Sequence, residues 1–133
     1  MIKQAIIPLA GLGTRLLPLT SVIPKELMPI NGKPNLQYIL DECIEAGIKE
    51  FIFIISKNKL SIKKYFFNDS FYNKIIRKKK DKRLIQEFKK LKKYQKMIKF
   101  VYQNKPKGTG DAVLKCKKLI KNNYFLMLLP DDL

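Results

Sequence analysis

Apolar residues cluster in short uninterrupted runs separated by longer stretches with helical spacing. Residues 2–9 read as a short strand, apolar except for Lys3 and Gln4, of the kind that is buried on both faces of a parallel sheet. Residues 50–56, with Phe-Ile-Phe-Ile-Ile inside them, form a second such segment. Residues 97–103 alternate weakly and predict a third strand, and residues 124–129 predict a last one. Between the first two runs, Leu36, Ile39, Leu40, Cys43 and Ile44 recur as one helical stripe. Pro34 stands where a helix tolerates proline, at its first position, and Gly47 closes the same helix. Parts of residues 60–66 and 71–94 predict further helix. Residues 111–120 carry Ala112, Val113, Cys116, Leu119 and Ile120 at helical spacing.

This alternation of buried strands and amphipathic helices is the signature of an α/β fold. The expected form is a doubly wound, mostly parallel, Rossmann-like sheet with helices on both faces. With 133 residues the chain is one domain. In such sheets ligands gather at the carboxyl ends of the strands. Three clusters fall at those ends: the loop of residues 10–33, the segment 103–111, and Asp131-Asp132.

Composition narrows the choices. An apolar fraction of 46% excludes wholesale disorder and fibrous repeats. Two cysteines, Cys43 and Cys116, cannot build a disulfide framework, and with no histidine there is no Cys/His zinc cluster. Both thiols read as small core filler on helices. No apolar run approaches the roughly 18 residues of a membrane span. Residues 5–19 follow a lysine, but Pro8, Gly11, Gly13, Arg15 and Pro18 interrupt any signal-peptide core. A reduced, cytoplasmic compartment is the expectation. Oligomeric state is not legible, and an oligomer stays open.

The net charge of +17 is uneven: between Lys74 and Lys99 thirteen Lys/Arg face only Asp81 and Glu87. One reading is a basic nucleic-acid-binding module, a different class of protein altogether. The other is a solvated helical face. Lysine outnumbers arginine 25 to 3, whereas phosphate readers lean on the arginine fork, and the run carries only Phe88 and Tyr94 for stacking. These features favour the solvated face.

The loop after the first strand reads Pro8-Leu-Ala-Gly11-Leu-Gly13-Thr14-Arg15-Leu-Leu-Pro18-Leu-Thr20, then Pro24-Lys25-Glu26-Leu-Met-Pro29. Glycines let backbone amides approach an anion, and Arg15 and Lys25 add positive charge. The dinucleotide fingerprint fails because Leu16 stands at the third glycine, and the Walker phosphate loop is absent. By itself a Gly-x-Gly after a strand is a tight turn as often as a ligand cradle.

The whole string is more specific. Ala-Gly-Leu-Gly-Thr-Arg-x-x-Pro-x-Thr followed by Pro-Lys-Glu-x-Met-Pro resembles the signature of sugar-1-phosphate nucleotidyltransferases. Within that superfamily it is most similar to the bacterial uridylyltransferase family acting on UTP and glucose 1-phosphate. Lys33-Pro34-x-x-Gln37-Tyr38, Glu42-Cys43-x-x-Ala46-Gly47, Gln103, Lys107-Gly108-x-Gly110-x-Ala112 and Leu129-Pro130-Asp131-Asp132 follow in family order. The resemblance runs the length of the chain.

It implies uridylyl transfer from UTP to glucose 1-phosphate with release of pyrophosphate. Such in-line chemistry depends on positioning and electrostatic stabilisation, which suits a chain without histidine. By resemblance, the backbone of Leu9, Ala10 and Gly11 faces the uracil, and Gly13, Thr14 and Arg15 wrap the phosphates. Arg15 and Lys25 neutralise the α-phosphate and leaving pyrophosphate. Gln103 and Gly108 read the base edge. Asp131 holds Mg²⁺, although Asp132 is an alternative ligand. Glu26 is expected to fix the loop through an ion pair. Each charge also has a plainer reading: Arg15 and Lys25 as solvated loop charges, Gln103 as the end of a strand.

The sequence departs from the family in two places. Asp111 stands where many relatives carry histidine, putting a carboxylate near the expected base. Family members also continue well past the metal aspartate. Residues 1–133 are therefore expected to be the nucleotide-binding part of a truncated sheet, with the sugar-phosphate-binding half absent. Either the short chain turns over substrate or it is a catalytically incompetent fragment that only binds nucleotide.

Overall fold

The first apolar run becomes an inner strand of a parallel sheet. The computed structural model describes residues 1–11, 14–67, 70–105, 108–121 and 123–129. Strand β1 (Gln4–Pro8) pairs with β4 (Glu50–Ile55) on one side and with β6 (Leu126–Met127) on the other. Strand β5 (Ile98–Tyr102) extends the sheet beyond β4, giving the order β5-β4-β1-β6, all parallel. The connections first run outward from β1 through β4 to β5 and then return to the far side of β1. That reversal is the switch point at which open α/β sheets bind ligands.

Burial on both faces explains the continuous apolar runs. Ala5, Ile7, Leu9, Phe51, Phe53 and Ile55 point to one side of the sheet. There they pack against α1 (Asn35–Glu45), α2 (Leu60–Phe66) and α4 (Lys82–Gln95) through Leu36, Leu40, Ile62, Phe66, Leu91 and Tyr94. Ile6, Ile52 and Ile54 point to the opposite side, where Ala112 of α5 (Thr109–Lys115) and the following Cys116 cover them. The ring of Phe53 makes edge contacts with Phe66 and Phe100, each 5.8 Å between centroids. Helices thus occupy both faces as expected, but unequally. Both cysteines are buried and free.

Local signals set the boundaries. Gly47 takes φ +101°, and Ile48 N–H donates to Cys43 O, closing α1 as a Schellman-type cap. The long helical stretch divides into α2, α3 (Ser70–Lys79) and α4. Lys80 ends α3 with φ 53°, and the Asp81 carboxylate accepts from the backbone N–H of Arg83 and Leu84 to cap α4. Most of the basic run lies on α3 and α4, where Arg77, Lys78, Lys79, Lys82, Arg83, Lys89, Lys92 and Lys93 are exposed while Leu91 and Tyr94 are buried.

Several sequence expectations shift. Pro34 is not the first helical residue: with ψ 142° it is extended and precedes α1. It belongs to a small hairpin of β2 (Pro29–Ile30) and β3 (Lys33–Pro34), turned by Asn31 and Gly32 with φ 51° and 80°. Strand β1 starts two residues later than the apolar run suggests, and Ile2 is exposed. Of the last run, Leu126 and Met127 pair with β1, Leu128 N–H adds one more bond to Ile6 O, and Tyr124 is solvent-facing. Helix α5 begins earlier, at Thr109, and gives way to turns after Lys115. Among the described residues no helix is long and apolar enough to cross a membrane.

Candidate functional site

Three neighbouring strand ends converge at the carboxyl edge of the sheet. Leu9, just past β1, is buried and donates its backbone N–H to Ile54 O at 2.7 Å. Gln103, just past β5, donates its backbone N–H to Ile55 O at 2.9 Å. The chain segments leaving β1 and β5 are therefore both tied to the end of β4.

After Leu9 the backbone passes through half-buried Ala10 to exposed Gly11. It then forms a short 3₁₀ turn over Thr14–Leu16, which places Arg15 in solvent. Two further 3₁₀ turns follow, Leu19–Ser21 and Lys25–Leu27. The last one returns the chain to the start of the loop. The Lys25 ammonium lies 4.0 Å from the point where a β-carbon on Gly11 would stand. Among the described residues other than the neighbours of Gly11 in the chain, nothing else comes within 4 Å of that point.

Glu26, next to Lys25, turns inward. Its carboxylate accepts two hydrogen bonds from Lys59 Nζ, at 2.9 and 3.3 Å, and both side chains are buried. The expected loop-fixing ion pair of Glu26 is present, with Lys59 as partner. Lys59 belongs to the 3₁₀ turn Lys57–Lys59 that follows β4. Removing two charges from water costs several kcal/mol each, so such a pair persists only when its geometry is fixed. Pro24 and Leu27 are positioned by the same turn, with Leu27 N–H donating to Pro24 O.

Gln103 is buried, and its side-chain amide is engaged. Nε2 donates to Gly108 O at 3.3 Å and to Asp111 Oδ2 at 2.9 Å. Gly108 is exposed with φ +90°, a conformation that favours glycine, and it precedes α5. Asp111 therefore contacts the glutamine directly instead of standing free beside the site. Just past β4, the buried Ser56 hydroxyl has no hydrogen-bond partner among the described residues.

Leu9, Ala10, Gly11, Lys25, Gln103 and Gly108 thus share one edge of the sheet, and Arg15 and the backbone of Thr14 lie in the loop above it. Gly13 and Asp131, with its alternative Asp132, lie outside the described residues. Among the described residues no cluster of three or more carboxylate or thiol groups is arranged to hold a metal ion. Sequence reading missed Lys59, Ser56 and the Asp111–Gln103 bond. A buried lysine among 25 carries no local signal, whereas the offset of Asp111 from Gln103, one helical turn past a glycine, is a usable one.

A family model described as nucleotidyl transferase matches residues 4–133. A UTP–glucose-1-phosphate uridylyltransferase of Mycoplasma pneumoniae is 43% identical over 98% of this chain and 45% of its own length. The enzyme of that name from Bacillus subtilis is 39% identical over 99% of this chain and 45% of its own length. Among solved structures, a UTP-bound UGPase from Acinetobacter baumannii superposes with TM-score 0.90 at 37% identity, covering 98% of this chain and 46% of that one. A UDP-glucose pyrophosphorylase complexed with UDP-glucose superposes with TM-score 0.76 at 36% identity over 98% of this chain and 46% of that one. The chain spans about half the length of the curated relatives it matches.

Proposed function

The chain belongs to the nucleotidyl transferase family, and from that premise we propose that it holds UTP for transfer of the uridylyl group to glucose 1-phosphate. The observation that carries this reading is the approach of Lys25 Nζ to Gly11 at the switch point of the sheet. A cation beside a backbone without a β-carbon, over the strand ends, suits a phosphate chain. Relatives named for UTP–glucose-1-phosphate uridylyl transfer, and a similar chain solved with UTP, support the choice of nucleotide.

In this reading the backbone of Leu9, Ala10 and Gly11 lies along the uracil, and Gln103 and Gly108 meet its edge. Gly13, Thr14 and Arg15 enclose the phosphates. Arg15 and Lys25 act catalytically by neutralising charge on the α-phosphate and the departing pyrophosphate as a sugar-phosphate oxygen attacks in line. The Glu26–Lys59 pair anchors the turn that carries Lys25. Asp131 is the proposed Mg²⁺ ligand. Mg²⁺ usually takes one or two carboxylates plus substrate phosphates, so one protein carboxylate fits that role without a larger cluster. When bound, the ion would neutralise phosphate charge.

The test is thermal unfolding of the purified chain with and without UTP and Mg²⁺, beside Arg15→Ala. A nucleotide-dependent rise in Tm that Arg15→Ala abolishes supports the reading. No rise in the unaltered chain contradicts it. Adding glucose 1-phosphate and following pyrophosphate then reports whether the chain turns over.

A further inference from the structure

In the reading above the Gln103 side chain meets the edge of the base, and its amide can present either a donor or an acceptor. Those two faces are interchangeable in shape, so something must choose between them. In this chain the choice is made by two groups that can only accept. Gly108 O lies 3.3 Å from Nε2, and Asp111 Oδ2, the shorter contact, lies at 2.9 Å. An amide turned the other way would set its own oxygen against a carbonyl and a carboxylate. Gln103 is 5% exposed as a residue, so water does little to relieve that repulsion. The Gln103 backbone is itself fixed, its N–H donating to Ile55 O, and Asp111 sits in the first turn of α5.

We propose that Asp111 is a positioning residue that fixes the polarity of the Gln103 amide and so selects the nucleobase. With Nε2 held by the carboxylate, Oε1 is the atom left to meet a ligand, and it can only accept. Uracil offers an N–H at ring position 3, whereas cytosine offers a bare ring nitrogen there that repels an acceptor. A site built to receive a particular hydrogen rejects the analogue that lacks it. The inference rests on the reading of Gln103 as a base contact.

The experiment is calorimetric titration of the full chain with UTP and with CTP, both with Mg²⁺, for the unaltered protein, Asp111→Asn and Gln103→Ala. Asparagine can accept or donate, so it no longer dictates which way Gln103 faces. The unaltered chain is expected to prefer UTP. Asp111→Asn is expected to reduce that preference about tenfold, with CTP affinity rising as UTP affinity falls. A purely structural role would change both affinities together and leave their ratio intact. Asp111→Ser, also without a fixed negative acceptor, serves if the asparagine variant does not fold.

An unchanged ratio in Asp111→Asn, with the preference lost in Gln103→Ala, overturns the positioning role while leaving the base contact standing. A preference that survives Gln103→Ala, or no UTP binding by the unaltered chain, overturns the base contact and the inference with it.

Discussion

Lys59 Nζ lies 2.9 Å from Glu26 Oε2, with the two side chains only 5% and 2% exposed. The pair joins the turn after β4 to the turn that carries Lys25. Breaking a buried pair leaves one charge without a partner, which costs about 3–5 kcal/mol. Glu26→Leu and Lys59→Met are each expected to lower stability by that amount in urea unfolding. The double variant is expected to recover most of it, because no charge is then left buried. A double variant as unstable as the sum of the singles would contradict this account.

Much of the architecture was legible because burial on both faces writes itself as continuous apolar runs. Residues 2–9 and 50–56 announced β1 and β4 in that way, and the stripe from Leu36 to Ile44 announced α1. The β2–β3 hairpin was harder to read, since Pro29 and Pro34 flank it. Its Asn31-Gly32 turn was nevertheless a standard hairpin signal. The last strand was overextended because an apolar run marks burial, and β6 itself spans only Leu126 and Met127, with Leu128 adding one further bond to Ile6 O. Within the site, Gly11, Arg15 and Lys25 were legible as types suited to an anion, and Gln103 entered only through the family resemblance. Lys59 was not, because its significance lies entirely in a partner 33 residues away.

The proposed function places Arg15 and Lys25 against phosphate, and hydrogen bonds to charged groups contribute about 1.5–3 kcal/mol. Arg15→Ala and Lys25→Ala are each expected to weaken UTP binding roughly tenfold to a hundredfold in calorimetry. Arg15 is exposed, so its replacement is expected to leave the Tm of the ligand-free chain unchanged. An unaltered UTP affinity in both variants would remove them from the site.

Gly11→Ala separates folding from binding. The new methyl would stand 4.0 Å from Lys25 Nζ, an ordinary van der Waals distance, so the fold is expected to accept it. In the proposed function the nucleotide lies against this backbone, where the same methyl would crowd it. UTP affinity is expected to fall about tenfold, in line with the cost of overpacking a close contact. Equal affinity in the variant would show that the ligand does not approach this backbone.

Burial pushes the Cys116 thiol up from 9.0 to about 11. Burial, with a smaller contribution from Glu42, raises that of Cys43 as well. A thiol with a raised value keeps its proton in the folded chain while the unfolded chain loses it. Stability from this source is therefore complete below pH 9 and is lost as pH rises toward about 11. Unfolding monitored across that window is expected to show a decline that Cys116→Ala lessens. At pH 8 neither native thiol is expected to react with a disulfide reagent until the chain is denatured.

The central claim is that the edge formed by Gly11, Lys25 and Gln103 binds a uridine triphosphate, and titration calorimetry of the unaltered chain with UTP and Mg²⁺ tests it most directly. A saturable heat with one site per chain and a Kd of about a millimolar or tighter is the expected result, in the range typical of enzyme substrates. No heat from folded protein at that concentration would contradict the account.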